Sequence, residues 1–297
     1  MGGLGNQMFQ YAAGKSLATK LGVALKIDTS FLDDRSYKKD FTFRNFELSC
    51  FNIKDDFICN GQLERFYSAC KIFEMCKLNA LNRIAFNYAI PLPKVFQHSD
   101  TKVNNYFQRL SNYTLIEGYW QSEKYFIDQQ AVIREKYIFK PHITDQNFKI
   151  LTEIINSNSV SVHIRRGDFA ENSVINNIHG LVDKEYYERS ISYILRKIDN
   201  PVFFFFSDDM GWVKSNFSFL TENYITFFIN HNIGDKAYED LRLMSNCKHN
   251  IIANSSFSWW GAWLNKNPDK VVTAPVCWYR NFLIDTKDLI PNEWVRL

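Results

Sequence analysis

The chain has 297 residues, room for one large or two medium domains, and 35 Lys and Arg against 32 Asp and Glu give a formal charge of +3. A charge so near balance offers no field to recruit nucleic acid or a membrane surface, so basic residues act locally. With 46% hydrophobic and 16% aromatic residues the composition is that of a globular protein, and most of its 26 Phe are expected in cores.

The six cysteines (Cys50, Cys59, Cys70, Cys76, Cys247 and Cys277) form no CxxC and no compact disulfide framework, which suggests free thiols in a reducing compartment. The six histidines are dispersed, without HExxH or another zinc-site spacing. No apolar h-region follows MGGLGNQ, and no apolar run reaches the roughly 18–20 residues that span a bilayer. The expectation is a soluble cytoplasmic protein, either free or peripheral at the inner face of the membrane.

In chain order, GGLGNQMFQYAAGKSLATKLG reads as a glycine loop followed by a helix that Gly22 ends, and VALKIDTSF as a short strand. Residues 31–60 are irregular. Residues 62–90 have a helical pattern, broken by Pro91 and Pro93. YTLIEGYWQSEKYF reads as a strand to Trp120 and then a helix to Glu135. The texture changes near Pro141, which divides the chain into domains 1–142 and 143–297.

Beyond that junction, helix and strand alternate. A helix over 145–156 leads to the strand SVSVHI, the helix DKEYYERSISYILRKI and the strand VFFFFS. A helix opened by DDMGW, the strand YITFF, the helix KAYEDLRLMSNC, the strand HNIIAN, the helix SSFSWWGAWLN and the strand KVVTAP follow. This alternation predicts an α/β fold with a parallel sheet covered by helices on both faces. Ligands of such sheets bind beyond the carboxyl ends of the strands. Three polar clusters fall there: HIRRGD, FSDD and IANSS.

Two apparent nucleotide motifs fail. GGLGNQ has Met8 where a dinucleotide fingerprint needs its third glycine, and no strand precedes it in this chain. AAGKS has Phe9 where a phosphate-binding loop needs its first glycine.

HIRRGD is the stronger signal. Arginine presents a planar fork of donors matched to phosphate oxygens, with each charge-assisted contact worth about 1.5–3 kcal/mol. Arg165 and Arg166 at a strand end, with Gly167 allowing a tight turn, suit a diphosphate; a surface salt bridge to Asp168 is the plain alternative. In FSDD, a carboxylate could pair with guanine N–H groups or a ribose hydroxyl, or Ser207 and Asp208 could simply cap a helix. The serines of IANSSFS open a helix whose N-terminal amides suit an anion, or they too are caps, with Trp259, Trp260 and Trp263 as core. Together the three clusters favour a nucleotide diphosphate.

With GGLGNQMFQYA, EGYWQSEKYF, HIRRGDF, FSDD…W and DLRLMSNCKHNIIANSSFSWWGAWL, the sequence resembles the α-1,2-fucosyltransferases of bacteria and animals, from Gly2 to at least Trp263. The resemblance implies a GT-B-like α/β fold with two Rossmann-like domains facing a cleft. It implies metal-independent, inverting transfer of L-fucose from GDP-fucose to the 2-hydroxyl of a galactose-terminated glycan, and no cofactor beyond the donor. The 1–142 domain would take the acceptor and the 143–297 domain GDP-fucose. The absence of a membrane anchor suggests a bacterial surface glycan.

Carried over by position, Arg165 would contact the β-phosphate and the scissile oxygen, and Arg166 would support the loop or the phosphate. His163 and Asp208, in the cluster with Asp209, would hold guanine. Ser255, Ser256 and Phe257 would line the phosphate and ribose pocket. Asn6 and Gln7 would face the cleft from the other domain, with Trp120 and Gln121 as acceptor candidates. Asp168 and Glu171 are the nearest carboxylates for a base, and Asp168 could instead order the arginine loop. Family members usually carry a short apolar strand before GGLGNQ, whereas this chain opens at Met1-Gly2-Gly3. A shortened start is therefore expected, and restoring such a strand should raise stability. The rival readings are a fucosyltransferase of other linkage or acceptor, and a catalytically silent sugar-nucleotide- or glycan-binding protein.

Overall fold

Four consecutive phenylalanines, Phe203–Phe206, are fully buried, which requires a strand covered on both faces. They lie in an interior strand of a six-stranded sheet in a computed structural model that describes residues 1–36, 43–58, 61–75, 93–99, 101–167, 176–177, 180–280 and 284–297. The chain divides into two compact units, the first ending at Ile138 and the second running from Phe139 to Leu297.

In the first unit the helix α1 (Leu4–Leu21) is buried on most of its faces, and Gly22, at φ 66°, closes it in the left-handed conformation. The helix starts at Leu4 with Gly3 as its cap, so Asn6 and Gln7 lie in its first turn; the expected glycine loop is that much shorter. The strand expected over VALKIDTSF is only β1 (Lys26–Ile27), paired in parallel with β2 (Asp56–Phe57). The helix α2 (Ser30–Asp33) follows β1, and α3 (Gln62–Met75) covers the first part of the helical pattern. The remainder of that pattern, 76–90, lies outside the described residues.

A second parallel pair joins β3 (Lys94–His98), which the sequence reading did not identify, to β4 (Thr114–Gly118). The helix expected after Trp120 is instead two 3₁₀ turns (Glu123–Tyr125 and Ile127–Gln129) and a short helix, α4 (Gln130–Lys136). Trp120 sits at φ 56° and Ser122 caps the first turn, so the backbone does not enter an α-helix directly.

The second unit follows its alternation closely. After α5 (Asp145–Asn156) come β5 (Asn158–Ile164), α6 (Lys184–Leu195), β6 (Pro201–Ser207), α7 (Met210–Phe217) and β7 (Thr226–Ile229). Then α8 (Tyr238–Asn246), β8 (His249–Ile251), α9 (Ser256–Leu264), β9 (Val272–Ala274) and β10 (Val295–Arg296) complete it. The two-residue β10 was not foreseen. The strand order is β10-β9-β8-β5-β6-β7, and every pairing is parallel. With β5 counted as the first strand this is the Rossmann order, and its direction reverses between β5 and β8.

The pleat of β5 sorts its side chains. Val160, Val162 and Ile164 enter a core with Tyr186, Ile191, Phe203, Phe205 and Phe217. Ser161 and His163 point to the opposite face, where Ser161 accepts a 2.7 Å hydrogen bond from Asn250 Nδ2. Trp259, Trp260 and Trp263 are buried, so the aromatic run of α9 is core as expected. Among the described residues, no helix is long and apolar enough to cross a membrane.

Candidate active site

The register of β5 against β6 sets the site. His163 pairs with Phe206 and Ile164 with Ser207, so the next residues on the two strands, Arg165 and Asp208, emerge side by side. Arg165 Nη1 lies 2.6 Å from Asp208 Oδ2. The other oxygen of that carboxylate accepts the Arg166 backbone N–H at 2.8 Å. Gly167 is the only residue type that fits this loop as it stands: a Cβ there would lie 2.6 Å from Asp208 Oδ2. Its role is close approach to a side chain, beyond the tight turn read from the sequence.

Arg166 has its own partners. Its Nε donates to Asp209 Oδ2 at 3.2 Å, and its guanidinium lies 4.2 Å over the Trp212 ring. Asp209 Oδ1 accepts the Trp212 backbone N–H at 2.9 Å, so Asp209, one residue later than expected, caps α7. Two adjacent arginines thus sit beside two adjacent aspartates from the neighbouring strand. Trp212 was not given a role by charge-based reading; its i+3 spacing from Asp209, the cap spacing, was the available signal.

His163 is buried, and among the described residues its Nδ1 has no hydrogen-bond partner. Burial, and to a lesser extent the Arg165 charge, push its pKa down to about 4 against the opposing pull of Asp208. The imidazole is therefore neutral at pH 7, with one nitrogen able to donate and the other to accept. Its ring lies 5.7 Å from that of Phe257, in the first turn of α9. The Ser255 hydroxyl caps that helix by accepting the Phe257 N–H at 3.3 Å, and Ser256 stands in the first turn, partly exposed. The carboxyl end of β5 and the entry to α9 after β8 thus flank the point where strand order reverses, with Arg165 and Asp208 on the β6 side.

Asp168 and Glu171 lie outside the described residues. Asn6 and Gln7 belong to the first unit. Asn6 Oδ1 accepts a 2.7 Å hydrogen bond from Gln121 Nε2, which unites two residues named separately from the sequence. Gln7 is buried, and its carboxamide donates to the carbonyls of Gly2 (2.8 Å) and Asn45 (2.7 Å) while accepting the Glu47 N–H (2.9 Å). Gln7 therefore fastens residues 45–47 to α1. Trp120 is 2% exposed and packs on Phe96, His98, Phe107 and Tyr125, so it offers no open ring face to a sugar.

An arginine loop at the carboxyl end of the first strand of a Rossmann-ordered sheet, beside a helix N-terminus, marks a doubly wound α/β protein whose switch point is a candidate site for an anionic ligand. The chain belongs to glycosyl transferase family 11, whose family model matches residues 1–297, and it is a glycosyltransferase. It is 37% identical to an alpha-1,2-colitosyltransferase of Escherichia coli, over all of this chain and 96% of the relative. It is 32% identical to the O-antigen biosynthesis glycosyltransferase WbnK of Escherichia coli, over all of this chain and 98% of that protein. The likeness to galactoside alpha-(1,2)-fucosyltransferase 2 of Bos taurus is 28% over 51% of this chain and 45% of the relative. Among solved structures, a mutant of Arabidopsis thaliana FUT1 in complex with GDP superposes with a TM-score of 0.51 at 12% identity, covering 92% of this chain and 68% of that one. That likeness concerns the fold, which is α/β and GT-B-like.

Proposed function

We propose that this protein transfers a 6-deoxyhexose, L-fucose in the first instance, from its GDP-activated form to the 2-hydroxyl of a galactose in a bacterial O-antigen-type glycan. The observation that carries the reading is the Arg165 guanidinium, held by Asp208 at the carboxyl end of β5. Breaking the sugar C1–O bond leaves negative charge on the departing GDP while the ring becomes oxocarbenium-like. A fixed guanidinium aimed at that charge stabilises the transition state, by about 2.7–4 kcal/mol for one such donor. The same charge performs the task that a metal ion performs elsewhere, which is why a metal-independent reaction is proposed.

In this reading Arg165 takes the β-phosphate and the scissile oxygen, and Arg166 supports them from its seat on Trp212. His163 and Phe257 face the nucleoside, and Ser255 and Ser256 the ribose and phosphate. The acceptor hydroxyl attacks from the opposite face of the sugar and inverts the carbon. Its proton passes to a carboxylate, for which Asp168 and Glu171 are the candidates. The first unit, with Asn6 and Gln121, would serve the acceptor side.

A second reading of the donor has its own support. The relative that is 37% identical over the whole chain is named for colitose, a fucose lacking its 3-hydroxyl. A pocket built to hydrogen-bond that hydroxyl would reject the deoxy sugar strongly, whereas an apolar lining would discriminate weakly. GDP release from GDP-fucose and GDP-colitose, with a panel of galactosides in EDTA, decides between them, and product NMR gives the linkage. Galactoside-dependent turnover of either donor, surviving EDTA and lost in Arg165→Ala, is the expected result. GDP binding without turnover of either donor would overturn the transferase reading.

A further inference from the structure

We propose that Tyr187 is a positioning residue for the arginine loop: its hydroxyl is the seat that the Arg165 backbone takes when the loop holds an anion. This rests on the GDP-sugar reading of the site. The helix α6 carries two adjacent buried tyrosines, Tyr186 and Tyr187, with ring centroids 5.0 Å apart. Their hydroxyls differ. That of Tyr186 reaches the carbonyl oxygens of Ile252 at 2.7 Å and Thr273 at 3.0 Å, on the β8 and β9 side of the sheet. That of Tyr187 has no hydrogen-bond partner among the described residues.

The surroundings of Tyr187 show what its hydroxyl faces. Burial, then Tyr186 and the Asp208 charge, raise its pKa, against the opposing pull of Arg166 and of the Arg165 backbone N–H. The ring shares a core with Ile164, the residue before Arg165, and lies 6.1 Å from Phe217. Phe217 in turn lies 5.8 Å from Trp212, the ring beneath Arg166. The hydroxyl therefore stands under the start of the loop, with the Arg165 N–H close by but short of a hydrogen bond. A buried hydroxyl without a partner destabilises a fold, so an unpaired one points to a role in another state. A small descent of the loop, as the two guanidinium groups take phosphate oxygens, supplies the missing bond. At 1% exposure Tyr187 touches no ligand and acts only through Arg165.

The test uses the full chain with its Tyr187→Phe and Tyr186→Phe variants, each of which removes one hydroxyl and keeps the ring. Without ligand, urea unfolding should give Tyr187→Phe a midpoint equal to or above the native one. Tyr186→Phe should fall below it, because only that variant loses hydrogen bonds already formed. Calorimetry then gives the affinities for GDP and for GMP, which lacks the β-phosphate. Tyr187→Phe should bind GDP roughly tenfold more weakly and GMP as the native chain does, so its preference for GDP over GMP shrinks by that factor. Its kcat should fall by about tenfold, as the guanidinium is held less firmly. Tyr186→Phe should keep the native preference and kcat.

A Tyr187→Phe chain that fails to fold, or unfolds at lower urea than the native chain, would show that the hydroxyl is partnered in the free protein and would overturn the inference. If the native chain binds GDP and Tyr187→Phe binds it equally well, the inference alone falls. If the native chain binds no GDP, the GDP-sugar reading falls and the inference with it.

Discussion

The guanidinium of Arg166 lies 4.2 Å over the ring of Trp212, while its Nε donates to Asp209 at 3.2 Å. Because Asp209 also caps α7, one carboxylate ties an arginine of the β5 loop to the helix that follows β6. Trp212→Leu removes the ring face and should cost about 0.5–1 kcal/mol. Asp209→Ala removes the cap as well as the ion-pair partner, and a lost cap typically costs about 1 kcal/mol. Trp212 also packs on Phe217, so urea unfolding should give both variants lower midpoints than the native chain; equal midpoints for all three would contradict the linkage.

Arg165→Lys is expected to restore little of what Arg165→Ala loses. A lysine ammonium is a compact point charge, whereas the guanidinium can touch Asp208 and an anion from separate edges of one plane. Loss of one such donor corresponds to about 100–1000-fold in kcat. Single-turnover rates for the two variants measure it, and near-native turnover in the lysine variant would show that charge alone suffices.

Gln7 is a structural test of the first unit. Removing its carboxamide leaves two backbone carbonyls and one N–H without their partner, in a setting where the side chain is 4% exposed. Each buried orphan costs about 1–3 kcal/mol, so Gln7→Ala should lose at least about 2 kcal/mol even after partial relaxation. A melting temperature within a degree or so of the native value would refute the assignment.

Two buried groups give opposite pH dependences. His163 is held at about 4 against a usual 6.5, so on acidification the unfolded chain takes up a proton that the folded chain refuses. Its contribution to stability is present above 6.5 and is lost as pH falls towards 4. Asp240, beside Asn232 at the start of α8, is pushed by burial up to about 7 from 3.8. There the folded chain keeps a proton that the unfolded chain releases, so stability is present below 3.8 and lost as pH rises through 7. Asp240→Asn removes only the second effect. Its stability relative to the native chain should worsen between pH 7 and pH 4, by an amount on the order of 3 kcal/mol. Urea midpoints at pH 7, 5.5 and 4 measure this; parallel curves for the two proteins would rule it out.

The second unit was legible because its elements carry their own signals. PVFFFFS is a run that only a doubly covered strand can bury, and the serines of IANSSFS mark the start of α9; at α7 the cap is Asp209, one residue beyond the Ser207–Asp208 pair read as the cap. The first unit was less so. The two residues of β1 and the five of β3 are too short for any periodicity to emerge, and β10 pairs through only two positions. The helix expected after Trp120 fails at a backbone angle, φ 56°, that aromatic packing imposes and no local propensity favours.

For the site, the sequence by itself determined which residue types stand at strand ends: two arginines and a glycine after β5, two aspartates after β6, serines before α9. Those positions follow from hydrophobic runs and turn residues, which are local properties. Only the tertiary structure decided who meets whom. Pairing of β5 with β6 brings residues 42 or 43 positions apart into one cluster, so the arginines face Asp208 and Asp209. The order of the strands places that cluster where the sheet reverses direction, because β8 returns to pair with β5 on its other edge. Register and strand order are set by long-range packing of whole faces, and no short stretch of chain contains them.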